Sequence, residues 1–194
     1  MRGRGASLFC VALGMLPAAC GDDGASAPPR ASLMRDCRSH VEGKLAPESR
    51  REAVRAGPLS LPSARALATA ENPNPGARFV DHKTIVVVRA GQEATVVVPP
   101  DERRHASLDY GYGVRADRRT PPVKLSDGVP VIRFAACGRG ARPLVRGHPL
   151  DRETQFNGGI ITRWGRCLPL DVWSRGGDRR QRITISFGAG DCDG

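Results

Sequence analysis

The chain has 194 residues, 40% of them apolar and only 5% aromatic, with 23 Gly and 16 Pro and a formal charge of +10. That suits one domain with appendages and a real core, and it excludes a wholly disordered polymer. Arg outnumbers Lys by 27 to 3; this bias follows from GC-rich coding without any ligand. The basic residues are scattered, with each RR pair beside Asp or Glu, so nucleic acid is not the expected partner.

The first 19 residues read as an export signal. Arg2 and Arg4 form a positive start, and Ser7 to Leu16 an apolar stretch too short to span a bilayer permanently. Pro17-Ala18-Ala19-Cys20 resembles the bacterial lipobox through its last three residues, with Pro17 where Leu is usual and Leu16 one residue early. The expectation is cleavage before Cys20 and diacylglyceryl attachment there, which anchors the chain to a membrane. The alternative is ordinary secretion with a cut after Ala27, where Pro28 disfavours cleavage. Residues 20–35 read as a flexible tether by their Gly, Ala, Ser and Pro content. Residues 36–194 read as one extracytoplasmic domain.

Within that domain a short helix is expected at Glu48–Ala56, introduced by Pro47. PLSL (58–61) looks extended, SARALATA has helical propensity, and ENPNPG (71–76) is a loop. TIVVVRA (84–90) and ATVVVPP (94–100), joined by three residues, form a strand–turn–strand pattern. Further strands are expected at SLDYGYGV, PVKL (122–125), PVIRFAAC (130–137), GGIITRWG (158–165), LPLDVW (168–173) and RITISFG (182–188). Gly176-Gly177 suits the hairpin loop between the last two. Ile183, Ile185 and Phe187 alternate with Arg182, Thr184 and Ser186, as a half-buried strand should. Short strands with frequent turns and little helix predict a mainly β domain, as an Ig-like sandwich or a small barrel.

Cys10 goes with the signal and Cys20 with the lipid, leaving Cys37, Cys137, Cys167 and Cys192. An even number in an exported chain predicts two disulfides. Of three connectivities, Cys37–Cys192 and Cys137–Cys167 are favoured, because the first ties the domain's two ends. There is no C-x-x-C, and the four His are far apart, so neither a metal site nor a cofactor is expected.

The runs TIVVVRAGQEATVVVPPDERRHASLDY, VIRFAACG, TQFNGGIITRWGRCLPLDVW and ITISFGAGDC resemble uncharacterised secreted and lipid-anchored proteins of actinobacteria over residues 57–194. That resemblance implies an envelope location and a β-rich domain, and no catalytic residues.

Enzymatic patterns find little support. Cys167 lacks the sequence context of a transpeptidase nucleophile, a cupredoxin set of two His, Cys and Met is missing, and there is no G-x-S-x-G. Asp127 in SDG reads as a turn residue. Candidate ligand contacts are Gln155 and Asn157 in TQFNGG, Arg163 and Trp164, and Tyr110 and Tyr112 in DYGYG. DYGYG is either a recognition loop or an irregular strand end. The expected function is a non-enzymatic binding or accessory module of the cell envelope. Its partner would be an anionic wall polymer or another envelope protein. The alternative is a wall-directed hydrolase or transferase.

Overall fold

In the computed structural model, residues 27–111, 122–143, 149–175 and 179–192 are described. The signal segment, Cys20, Tyr112 and Gly176-Gly177 lie outside them. The domain is mainly β. In chain order come β1 (Leu33–Arg35), α1 (Pro47–Arg51), β2 (Val54–Ala56), β3 (Leu59–Leu61), β4 (Val80–Lys83), β5 (Val86–Arg89) and β6 (Glu93–Val97). Then follow β7 (Ala106–Asp109), β8 (Val131–Ala135), β9 (Glu153–Phe156), β10 (Gly159–Thr162), β11 (Arg166–Ser174) and β12 (Arg180–Phe187).

Three sheets share one core. The largest has order β1-β8-β6-β11-β12, the second β2-β3-β5-β9 and the third β4-β10-β7. Phe134, Phe156, Phe187, Tyr110 and the inward Leu, Ile and Val residues fill the space between them. The expected alternation holds in β12 for Ile183, Ile185 and Phe187, which are buried, against the exposed Arg182 and Thr184, but Ser186 is buried as well. Strands β11 and β12 pair antiparallel over eight residue pairs, as the hairpin reading requires.

Several expectations need correction. The tether does not run to residue 35. Leu33–Arg35 pairs parallel with Ile132–Phe134. Arg35 is buried, donating to Ser39 O (2.6 Å) and Ser39 Oγ (3.0 Å) and to the carbonyl of Tyr110. The helix stops at Arg51 because Val54–Ala56 pairs with Leu59–Leu61. PVKL forms no strand; Leu125–Asp127 is a 3₁₀ turn, closed where the Asp127 carboxylate accepts from Lys124 N (2.9 Å).

The two valine runs do form strands, but not a hairpin. β5 pairs with β3 and β9, whereas β6 pairs with β8 and β11. Val86–Val88 and Ala94–Val97 are buried throughout. Such runs lack the one-sided alternation that pins a hairpin register, and each becomes a central strand with neighbours of its own.

Both disulfides form, with a different pairing. Cys37 bonds Cys137 and Cys167 bonds Cys192. The register explains it. Arg35 lies opposite Phe134, so the parallel strands carry Cys37 to Cys137 just beyond their ends. Strand β6 separates β8 from β11, so a Cys137–Cys167 bridge would cross two strand spacings. That is roughly 9–10 Å, beyond disulfide reach. No helix among the described residues is long and apolar enough to cross a membrane.

Candidate functional site

The five sequence candidates among the described residues divide sharply; Tyr112 lies outside them. Tyr110 belongs to the core, edge-on to Phe134 at 5.1 Å, with its hydroxyl 3.0 Å from Thr84 Oγ1. Burial pushes its phenol above the ordinary value, so it stays neutral. Gln155 is also buried, and its Nε2 donates to Gly43 O at 3.0 Å. Asn157 is half-buried and leads into Gly158, where a Cβ would lie 2.2 Å from the Tyr110 ring. Asn157-Gly158-Gly159 suits a tight turn by composition, but Asn157 and Gly158 link β9 to β10, which pair with different strands, and Gly159 opens β10; close packing excludes a side chain at Gly158. Arg163 and Trp164 remain, and they sit at a corner with more functional groups.

Register builds this corner. In the three-stranded sheet, Val80, Thr162 and Ala106 lie side by side on β4, β10 and β7. One residue further along each chain, the same pattern brings Phe79, Arg163 and His105 together. The guanidinium of Arg163 lies 5.7 Å from the centroid of Phe79, and that of Arg78 lies 5.3 Å from the same ring. Both arginines are exposed. Stacking on an aromatic face holds a guanidinium plane while leaving its N–H edge free for an incoming oxygen.

The loop before β7 adds a second cationic pair. Arg104 Nε donates to His105 Nε2 at 2.9 Å, and Arg166 pairs with Glu102. Partial desolvation lowers the His105 pKa, and the charges of Arg166 and Arg104 lower it further. The guanidinium groups thus disfavour its protonated form, against an opposing pull from Glu102. Thr162 Oγ1 donates to His105 O at 3.1 Å, tying the loop to β10.

Beneath this surface lies a stack of rings. The half-buried Trp164 meets His82 at 5.4 Å, and His82 meets Phe187 at 4.6 Å. His82 is 4% exposed, and its Nε2 has no hydrogen-bond partner. Desolvation brings its pKa down to about 4, against a weaker upward push from a backbone hydrogen bond with Thr162. Gly188, at φ +72°, holds the other side of the indole; a Cβ there would lie 2.1 Å from the Trp164 ring. Gly188→Ala is therefore expected to displace Trp164 and red-shift its fluorescence, a change that steady-state emission spectra of a Trp173→Phe background would report.

The corner thus holds four guanidinium groups, one carboxylate, an imidazole and two aromatic rings. This set suits oxyanion recognition by bidentate hydrogen bonds and stacking. Arg166 stands beside Arg163 and Trp164 in sequence and is read with them as a candidate wall-binding face. Sequence reasoning missed Arg78, Phe79, Arg104 and His105 as members of this corner, because only strand register connects them to it. The thiol of Cys167 is unavailable as a nucleophile, being bonded to Cys192. Among the described residues, Cys37, His40 and Cys137 form one group close enough to hold a metal ion, but the two sulfurs are bonded to each other. Three carboxylates elsewhere are engaged by arginine: Glu153 with Arg50, Glu93 with Arg133, and Asp171 with Arg182.

No protein family, curated protein or solved structure matches the chain.

Proposed function

We propose that the protein is an extracytoplasmic binding module, anchored through a lipid on Cys20, whose Arg163 corner takes a phosphate- or carboxylate-bearing polymer of the envelope. The observation that carries this reading is the gathering of Arg78 and Arg163 over Phe79 and of Arg104, Arg163 and Arg166 around His105, opposed by Glu102 within that set. Two disulfides support an oxidising compartment outside the cytoplasm. The apolar N-terminal stretch followed by Ala18-Ala19-Cys20 supports anchorage.

Co-sedimentation of the full chain with purified cell wall tests the binding. Each charged hydrogen bond contributes about 1.5–3 kcal/mol. Arg78→Glu with Arg163→Glu should therefore weaken binding about tenfold or more, and added salt should weaken the wild type steeply. Binding that ignores both the substitutions and salt would overturn this reading.

His105 supplies an independent reporter. An anion seated among the arginines offsets the repulsion that lowers the His105 pKa, so bound polymer should move its titration to higher pH. NMR titration of the ring protons with and without wall fragments measures that shift. An unmoved His105 would mean that the polymer binds elsewhere.

A further inference from the structure

The outer surface of the five-stranded sheet carries a second, unrelated pattern. One register row crosses all five strands as Met34, Arg133, Thr95, Trp173 and Arg180. The row beside it holds Val131, Val97, Asp171 and Arg182. Their neighbours Ile132, Val96 and Val172 point the opposite way, into the main core. Val97, Val131 and Trp173 form a separate small apolar cluster, against which Ala31 packs. Met34, at the end of the row, is 50% exposed and is the large exposed hydrophobic among the described residues.

The segment Ala27–Ala31 lies across this same face. With Glu93, Arg133, Trp173 and Arg175 it walls a cleft of about 520 Å³. Arginine dominates here: Arg30, Arg133, Arg175, Arg180 and Arg182 share the face with Glu93 and Asp171, and Asp101 also acts on Arg182. Trp173 is itself buried beneath this segment, at 7% exposure. The arginines and the exposed Met34 around it match an anionic bilayer interface, where guanidinium heads meet phosphates and apolar stems stay drier.

Chain length decides which surface the bilayer meets. Only six residues, or seven residue-to-residue steps, separate Cys20 from Ala27. Seven such steps span at most about 25 Å even when fully extended. We infer that the outer face of the five-stranded sheet, entered at Ala27 and centred on Trp173, rests on anionic lipid headgroups. This inference rests on the Cys20 anchor proposed above.

Trp164 provides an internal control. It precedes β11, nine positions before Trp173 with Gly165 at φ +71° between it and the strand, and stacks inward on His82. The binding corner is then held at the far end of β11 from the lipid-facing cluster.

The test uses the full chain purified from host membranes and placed in vesicles of phosphatidylglycerol and phosphatidylcholine in equal parts, with a headgroup nitroxide lipid as quencher. In Trp164→Phe, the remaining Trp173 should be quenched. In Trp173→Phe, Trp164 should not. Adding Arg175→Glu and Arg180→Glu, both at exposed positions, should abolish the quenching of Trp173, as should vesicles of phosphatidylcholine alone; these arms need no change at Trp173 itself.

Intact mass reads the anchor separately. An acylated chain with Trp173 unquenched, or quenched equally after the charge reversals, overturns the membrane-facing surface and leaves the anchor standing. A chain without acyl groups on Cys20 overturns both. Trp173 shielded by a cross-linkable second copy, with no effect of lipid, overturns the surface in favour of a dimer.

Discussion

Replacing both Cys37 and Cys137 by alanine is expected to lower the unfolding free energy by about 5 kcal/mol, against about 3–4 kcal/mol for the Cys167 and Cys192 pair. The difference follows from loop length. The first bridge closes 100 residues and the second only 25. In the chain-entropy account, the longer loop removes more freedom from the unfolded state. The first bridge also clamps the edge strand β1 onto β8, two residues past the point where Arg35 lies opposite Phe134. Cys137 is fully buried, so its truncation adds a small packing loss. Denaturant unfolding of the two double variants checks the ranking. Equal losses, or a larger loss from the shorter loop, would show that local strain or residual unfolded structure outweighs loop entropy. The stability at stake is comparable to that of a whole small domain. Loss of the 100-residue bridge should therefore leave much of the chain unfolded at ordinary temperature.

The mainly β character was legible because β5, β6, β8, β11 and β12 carry it in Val, Ile and Phe. The connections were not legible, for identifiable reasons. Val86–Val88 and Ala94–Val97 have no polar face, so nothing in either run says which neighbour it takes. Glu153–Phe156 shows no strand pattern in the sequence and leads into Asn157-Gly158-Gly159, which suits a turn by composition. It becomes a strand because its polar groups are satisfied internally: Thr154 Oγ1 accepts from Cys137 N at 2.8 Å, and Gln155 bonds Gly43. Leu33–Arg35 hides in tether-like sequence, and its pairing comes entirely from β8. The favoured disulfides rested on linking chain ends, a one-dimensional argument that sheet order overrides. At the candidate site, Arg163 and Trp164 were found as an aromatic–basic pair adjacent in sequence. Phe79 and His105 lie 84 and 58 positions away from Arg163 by sequence number, and only the β4-β10-β7 register joins them.

Acid should weaken the fold from beneath that site. His82 titrates near 6.5 in the unfolded chain, but burial holds it near 4 in the folded one. Above pH 6.5 the ring is neutral in both states and contributes no pH dependence. Between 6.5 and 4 the unfolded chain takes up a proton that the folded chain refuses, so stability falls as pH falls. Below 4 both are protonated and this loss levels off. Its full size is about 3 kcal/mol. His82→Phe isolates that contribution, because the ring still fits between Trp164 and Phe187 but cannot titrate. The variant forfeits the hydrogen bond with Thr162, which costs about 1 kcal/mol at neutral pH, while it removes a buried nitrogen that has no partner. Urea unfolding at pH 7, 5.5 and 4 should therefore show the wild type losing about 3 kcal/mol more than the variant over the range. Parallel curves would mean that the imidazole finds water or a partner on protonation. Since Trp164 stacks on His82, a charged imidazole pushes against the floor of the Arg163 corner. In the wild type, loosening of that corner should precede global unfolding as pH falls, and indole emission should change before the far-ultraviolet signal. In His82→Phe the two signals should coincide.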